Sequence, residues 1–228
     1  MSIALLELAA AKLGPLLDEV AFLGGASIVL WADDPGAPPP RTTMDVDVIV
    51  VVDGRGDYYR LSERLRQQGF REDDQSNVLC RWRHDSGLIL DVMPTDEAIL
   101  GFRNQWYDAA LAAAEAVTLP SGTTIQAVTP AYLFATKLEA FRDRGGGDYL
   151  ASVDFEDIVR LVDGRGRLVG EVDAAPADLQ RFVADELGRL LRDENFEAGV
   201  AAGLLPDAAS QGRREVVLER VRRMSQST

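Results

Sequence analysis

Arg41-Thr42-Thr43-Met44-Asp45-Val46-Asp47-Val48-Ile49-Val50-Val51-Val52 is the stretch on which the reading of the fold turns. From Met44 to Val52 it consists largely of Val and Ile, whose branched side chains suit a pleated strand. Two acids alternate with apolar neighbours, so the period is two and the pattern predicts a strand over Met44–Val52. Successive strand side chains point to opposite faces, which puts Asp45 and Asp47 on the same face. Two such carboxylates repel unless a cation lies between them. Taken alone, an Asp-x-Asp pair on a half-solvated strand reads first as surface acids; the flanking sequence is what gives this pair weight.

Upstream, Val20-Ala21-Phe22-Leu23 closes at Gly24-Gly25 and continues as Ala26-Ser27-Ile28-Val29-Leu30-Trp31, the pattern of strand, tight turn and helix. At such a junction free N–H groups and the Ser27 hydroxyl can meet an anion, and glycine lets the backbone approach a phosphate. Leu5–Leu17 has helical spacing interrupted at Gly14-Pro15, and Asp33–Pro40, rich in proline, reads as a loop. Asp57–Gln68 fits a helix closed by Gly69. Val78–His84 and Leu88–Met93 read as strands joined through Asp85-Ser86-Gly87, and Val117–Leu119 and Thr124–Val128 as a second hairpin around Pro120-Ser121-Gly122. Asp91 follows the apolar run Leu88-Ile89-Leu90 on a strand that could pair near the Asp45 strand. It is a third carboxylate candidate, since an unpaired buried charge is costly; the other reading is an acid at a strand end emerging toward Pro94.

Beyond Pro130 strand signals stop. Thr129 as N-cap and Pro130 at the first position open a helix over Pro130–Arg144, and further helices are expected over Phe155–Val162, Pro176–Leu191 and Arg213–Met224. Gly145-Gly146-Gly147 reads as a flexible joint. The expected class is α/β of the α+β kind: a mixed sheet with flanking helices over residues 1–128, followed by an all-helical C-terminal part over residues 129–228.

The composition bounds the chemistry. With 228 residues, 46% apolar and 27% charged, the chain can bury a real core, which excludes disorder, collagen and coiled coil. The apolar run Val48–Val52 is far too short to span a bilayer. The first residues carry neither a basic n-region nor a cleavage pattern, so a cytoplasmic location with no membrane partner is expected. One cysteine, Cys80, and one histidine, His84, exclude an internal disulfide and a Cys/His zinc set. Both read as ordinary structural residues. A metal would have to be held by carboxylates, which suits Mg²⁺ or Mn²⁺. The formal charge of −13 argues against an extended nucleic-acid footprint, although a local basic patch or a bound metal ion escapes that count.

Val20–Ser27 taken with Arg41–Val50 resembles the G-G-x-(A/S) and R-x-T-x-D-x-D signature of the DNA polymerase β-like nucleotidyltransferase superfamily. Within it the chain is similar to the type IV toxin-like branch of AbiEii and MenT nucleotidyltransferases. Ala135–Arg144, followed by Asp148-Tyr149 and Asp154-Phe155-Glu156-Asp157-Ile158, resembles that branch's lysine-bearing helix and downstream D-x-x-D. The resemblance covers residues 20 to 163; in this chain Asp33–Pro40 lengthens the spacing between the glycine turn and the acids. It implies a nucleotidyltransferase-fold mixed sheet, with Asp45, Asp47 and Asp91 as catalytic ligands of Mg²⁺ or Mn²⁺. It further implies that Gly24, Gly25 and Ser27 hold the phosphates of an NTP, that Lys137 contacts them, and that Arg41, Arg142, Asp154 and Asp157 belong to the nucleotide site.

The activity so implied moves an NMP from an NTP to an acceptor hydroxyl, releasing pyrophosphate. The acceptor would be an RNA or tRNA 3′ end or a protein, and an antitoxin protein would be a partner where the toxin likeness holds. The alternatives are modification of a small molecule in the aminoglycoside style, which an acidic cleft would suit, and a catalytically inactive nucleotide-binding module. Residue by residue, plainer roles stay open. Lys137, Arg142 and Arg144 read equally as a solvated helix face, Asp157 as a first-turn acid complementing the helix dipole, and Arg41 as a loop anchor.

Overall fold

Period-two alternation organises the sheet that the computed structural model shows; the structure describes residues 2–76, 78–101 and 103–227. Its strands are β1 (Val20–Leu23), β2 (Asp45–Val50), β3 (Phe70–Glu72), β4 (Arg81–His84), β5 (Ile89–Pro94), β6 (Glu115–Thr118) and β7 (Thr124–Ala127). They form one mixed sheet in the order β3-β4-β5-β2-β1-β7-β6. β2 runs parallel to β5 and antiparallel to β1, and β1 runs parallel to β7. The α+β class is as read from the sequence.

Each strand sends alternate residues to one core. Val46, Val48 and Val50 of β2 stand beside Leu90 and Val92 of β5 and Phe22 of β1, and Trp82 of β4 pairs with Leu90. These side chains are buried with Leu6, Ala9 and Leu13 of α1 (Ser2–Leu13), Leu16 of a short 3-10 helix over Gly14–Glu19, and Leu65 of the third helix described below. The opposite sheet face carries Asp45, Asp47 and Ile49 of β2, Ile89, Asp91 and Met93 of β5, and Arg81 and Arg83 of β4. One alternation therefore builds the core and sorts the polar residues onto the other side. The remaining helices of this part are α2 (Gly24–Trp31), α3 (Gly54–Gln67), α4 (Glu97–Leu100) and α5 (Tyr107–Ala112).

The helical part contains α6 (Pro130–Arg144), α7 (Val153–Gly164), α8 (Leu168–Asp173), α9 (Ala177–Leu190), α10 (Phe196–Gly203), α11 (Ala208–Gln211) and α12 (Arg214–Met224). Phe141, Tyr149, Phe155 and Phe196 pack as tilted and edge-to-face rings at its centre, with centroids 4.7–6.1 Å apart. Ser152 caps α7 by accepting from the Phe155 N–H. Among the described residues no helix is long and apolar enough to cross a membrane.

Several boundaries differ from those read in the sequence. β4 begins at Arg81, because the Arg81 N–H donates to the Val78 carbonyl and closes a turn where extended chain was expected. β3, α4, α5, α8, α10 and α11 carry no signal of their own; most are too short to display a period. The chain divides into a unit of residues 2–30 and 42–129 and a unit of residues 31–41 and 130–227. A division between residues 128 and 129 leaves residues 31–41 with the sheet, whereas they belong with the helices. The reason is electrostatic. The Asp33 and Asp34 N–H groups both donate to the Gly164 carbonyl at the end of α7. Arg165 donates to Asp33 at 3.0 Å and to the Trp31 carbonyl, and Arg213 and Arg220 each reach Asp34 at 2.8 Å. Those two donors hold the Asp34 carboxyl well below the usual range.

Candidate functional site

Three of the expected acids come together on the sheet. The parallel pairing of β2 and β5 sets Asp47 directly beside Asp91, and Asp45 lies two residues along the same face. Asp91 is buried, Asp45 and Asp47 are half-buried. A buried carboxylate needs compensation, and here it comes from a residue outside every motif of the sequence. Arg81 faces Asp91 across the β4–β5 hairpin. Its Nε and Nη2 donate to the two Asp91 carboxylate oxygens, each at 2.8 Å, and Nη2 also donates to Asp45 Oδ2 at 2.7 Å. A two-pronged, charge-assisted contact of this kind is among the stronger polar interactions in proteins. Donation to Asp91 raises the Arg81 pKa above its ordinary value, against the opposing effect of burial.

Among the described residues no group of three or more His, Cys, Asp or Glu is arranged to hold a metal ion as it stands. A guanidinium sits on the oxygens of Asp45 and Asp91 instead. Chemically the donor set fits Mg²⁺ or Mn²⁺, because it offers hard carboxylate oxygens alone, and Arg81 shows that the place attracts a cation. The three carboxylates keep an excess of negative charge after Arg81 is counted. Cys80, next to Arg81, is buried, and burial together with the charges of Asp91 and Asp47 pushes its thiol up to about 12. At neutral pH it stays protonated, which removes it as a nucleophile.

The glycine turn closes against Asp47. Gly24 has φ +74°, a conformation that side chains rarely adopt, and a Cβ placed there would lie 1.8 Å from Asp47 Oδ2 and 2.9 Å from the Asp47 Cβ. The first glycine is thus required by the neighbouring acid, independently of any phosphate. Ser27 is fully buried and its hydroxyl donates to the Gly24 carbonyl at 2.9 Å, so it ties the first turn of α2. Gly25 is buried beside it.

The other expected residues lie in the helical unit. Lys137 on α6 reaches Asp154 Oδ1 at 3.0 Å and Asp157 Oδ2 at 2.7 Å, both on α7. Arg41 donates to both oxygens of Asp157, at 2.7 and 3.1 Å, and Arg144 to both oxygens of Asp154, at 2.8 and 3.1 Å. Burial works to raise the Asp154 pKa, but the Lys137 charge and the Arg144 hydrogen bonds outweigh it and bring the carboxyl to about 2. Asp157 is completely buried and lies between Arg41 and Lys137.

Arg142 does not join this group. It pairs with Asp143 at 2.9 Å and Glu186 at 3.4 Å and lies over the Phe182 ring. Helical geometry explains the separation: seven residues bring Arg144 back to nearly the azimuth of Lys137, whereas five turn Arg142 well away from it. Arg144, read from the sequence with Lys137 and Arg142 as a helix-face charge or part of a basic cleft, is the residue that takes part. The seven-residue spacing is a usable signal for it. A similar signal exists for Arg81, since the three-residue hairpin loop Asp85-Ser86-Gly87 fixes the register that sets 81 across from 91.

No protein-family model matches this chain, and a comparison with curated proteins finds no match.

Proposed function

We propose that this protein is a metal-dependent nucleotidyltransferase that moves an NMP from an NTP to an acceptor hydroxyl. The observation that carries the reading is the register: Asp47 beside Asp91, Asp45 on the same face, and a glycine turn closing on Asp47. Asp45, Asp47 and Asp91 would hold Mg²⁺ or Mn²⁺, which supplies charge stabilisation for the reacting and leaving phosphate oxygens. Asp91 accepts the proton of the acceptor hydroxyl as its oxygen bonds to the α-phosphorus; the bond from the α-phosphorus to the bridging oxygen breaks, and pyrophosphate leaves. Asp154 and Asp157 gather Arg41, Lys137 and Arg144 into one cluster, and guanidinium and ammonium groups are the kind that recognise phosphate oxygens. The charge of −13 favours an acceptor gripped over a short stretch, such as an RNA 3′ end, over a long duplex.

A second reading has one observation in its favour. Arg81 satisfies both oxygens of Asp91, as it would in a nucleotide-binding module without turnover. Incubation with each of four labelled NTPs, Mg²⁺ and cellular RNA separates the two. The transferase reading expects label on RNA, abolished by Asp45→Asn or Asp47→Asn with an unchanged circular dichroism spectrum. Full transfer by either variant refutes the metal account. NTP binding by the wild type with no transfer to RNA, protein or an aminoglycoside establishes the binding module. Growth arrest on expression, relieved by Asp45→Ala, would support an RNA acceptor.

A further inference from the structure

We propose that Arg81 is an internal counter-cation of the carboxylate trio, so that metal loading is an exchange in which the guanidinium must leave Asp45 and Asp91. The inference rests on the metal-site reading above and concerns the regulation of that site. Three observations carry it. Arg81 engages both oxygens of Asp91 and one of Asp45 at 2.7–2.8 Å, which are the lone pairs a divalent ion would need. Asp47, directly beside Asp91, adds a third carboxylate to the same face, held there against the turn of Gly24. The guanidinium also has a way out. Arg81 is the first residue of β4, follows a turn, and its side chain retains one fifth of its exposure.

The chemistry of the group makes this an exchange. A guanidinium does not deprotonate in a protein, so it can vacate the carboxylates only by swinging away. A lysine could instead lose its proton where it stands. In the absence of metal, Arg81 offsets the mutual repulsion of acids held in register by the sheet, which lets the site fold before it is loaded. Free metal therefore competes with a cation that is tethered to the chain and cannot diffuse away, and the apparent metal affinity is lowered by that competition.

The test is titration of Mn²⁺, followed by calorimetry and by the electron paramagnetic resonance of the free ion, against wild type, Arg81→Met and Asp47→Asn. The exchange predicts that Arg81→Met unfolds at a lower temperature without metal yet binds Mn²⁺ about tenfold more tightly or better, the scale of one or two charge-assisted hydrogen bonds. Asp47→Asn should lose the site. Unchanged or weaker Mn²⁺ binding by Arg81→Met, with Asp47 still required, overturns the exchange and leaves the metal site standing. Absence of Asp47-dependent binding in both proteins overturns the metal-site reading as well. Should Arg81→Met fail to fold, the wild type decides: the Arg81 Nε–H resonance, assigned by its loss in Arg81→Lys, should move on Mg²⁺ titration and saturate with it. A resonance that stays in place while the metal binds refutes the proposal.

Discussion

Replacing Gly24 with alanine makes two separable demands on the sheet unit. At φ +74° a side chain is strained by about 1–2 kcal/mol. The new methyl would also sit 1.8 Å from Asp47 Oδ2 and 2.9 Å from the Asp47 Cβ. The oxygen can rotate away, but the Cβ is fixed to β2, so backbone must shift, and overpacking of this kind costs about 1–3 kcal/mol. The expected loss is about 2–5 kcal/mol, which for a chain of this length lowers the melting temperature by roughly 5–15 °C. Gly87 supplies the control: it has φ +86° with open space where its Cβ would stand, so Gly87→Ala incurs the strain alone. Urea unfolding followed by tryptophan fluorescence, with the slope unchanged, measures both variants. Gly24→Ala should exceed Gly87→Ala by about 1–3 kcal/mol and should lose label transfer, because Asp47 is displaced. If the two variants are equally destabilised, the contact between the turn and Asp47 does not have the steric role assigned to it.

Two further outcomes concern the helical unit. Asp154 has its carboxyl depressed from 3.8 to about 2, so its contribution is complete above pH 3.8 and is lost as pH falls toward 2. At about 1.4 kcal/mol per unit this amounts to about 2 kcal/mol, and Arg144→Gln, which raises the folded-state pKa toward 3.8, should shrink the loss and end it at a higher pH; urea midpoints measured through the acid range check both. Arg213→Met removes the 2.6 Å bond to Asp163 Oδ1, whose partner oxygen Oδ2 is already buried without a hydrogen bond. Breaking a buried ion pair costs about 3–5 kcal/mol, and Asp163→Asn in the same background should restore much of it; a loss below about 1 kcal/mol would contradict the burial argument.

How far the sequence reaches depends on the range of the interaction concerned. β2 is legible because a period of two is a property of adjacent residues, and the same property puts Asp45 and Asp47 on one face. The second hairpin and the long helices α6, α9 and α12 are legible for similar reasons, since turn residues and apolar spacing act within a few positions. Arg81 and Arg144 are within reach of local geometry too. A short hairpin loop fixes which residues oppose each other, and a helix fixes which residues share a face. Arg81 belongs to no motif, however, and Arg144 only closes the lysine-bearing helix, so each gains its meaning only once the acid opposite it is known.

Other features have no local signal. That Asp91 stands beside Asp47 depends on a parallel pairing of β2 with β5, two strands separated by α3, β3 and β4. Parallel register is set by burial of the whole strand face, with no turn to dictate it. That residues 31–41 belong to the helices depends on Asp33, Asp34 and Arg41 finding partners more than a hundred positions away. By itself, then, the sequence determined the longer elements, the alternation that keeps one sheet face apolar and puts the paired acids on the other, and the chemical kind of each candidate ligand. Only the tertiary structure decided which cation each acid meets. Backbone sterics and side-chain period act along the chain, whereas register and ion pairing are settled when distant segments compete for the same core and the same charges.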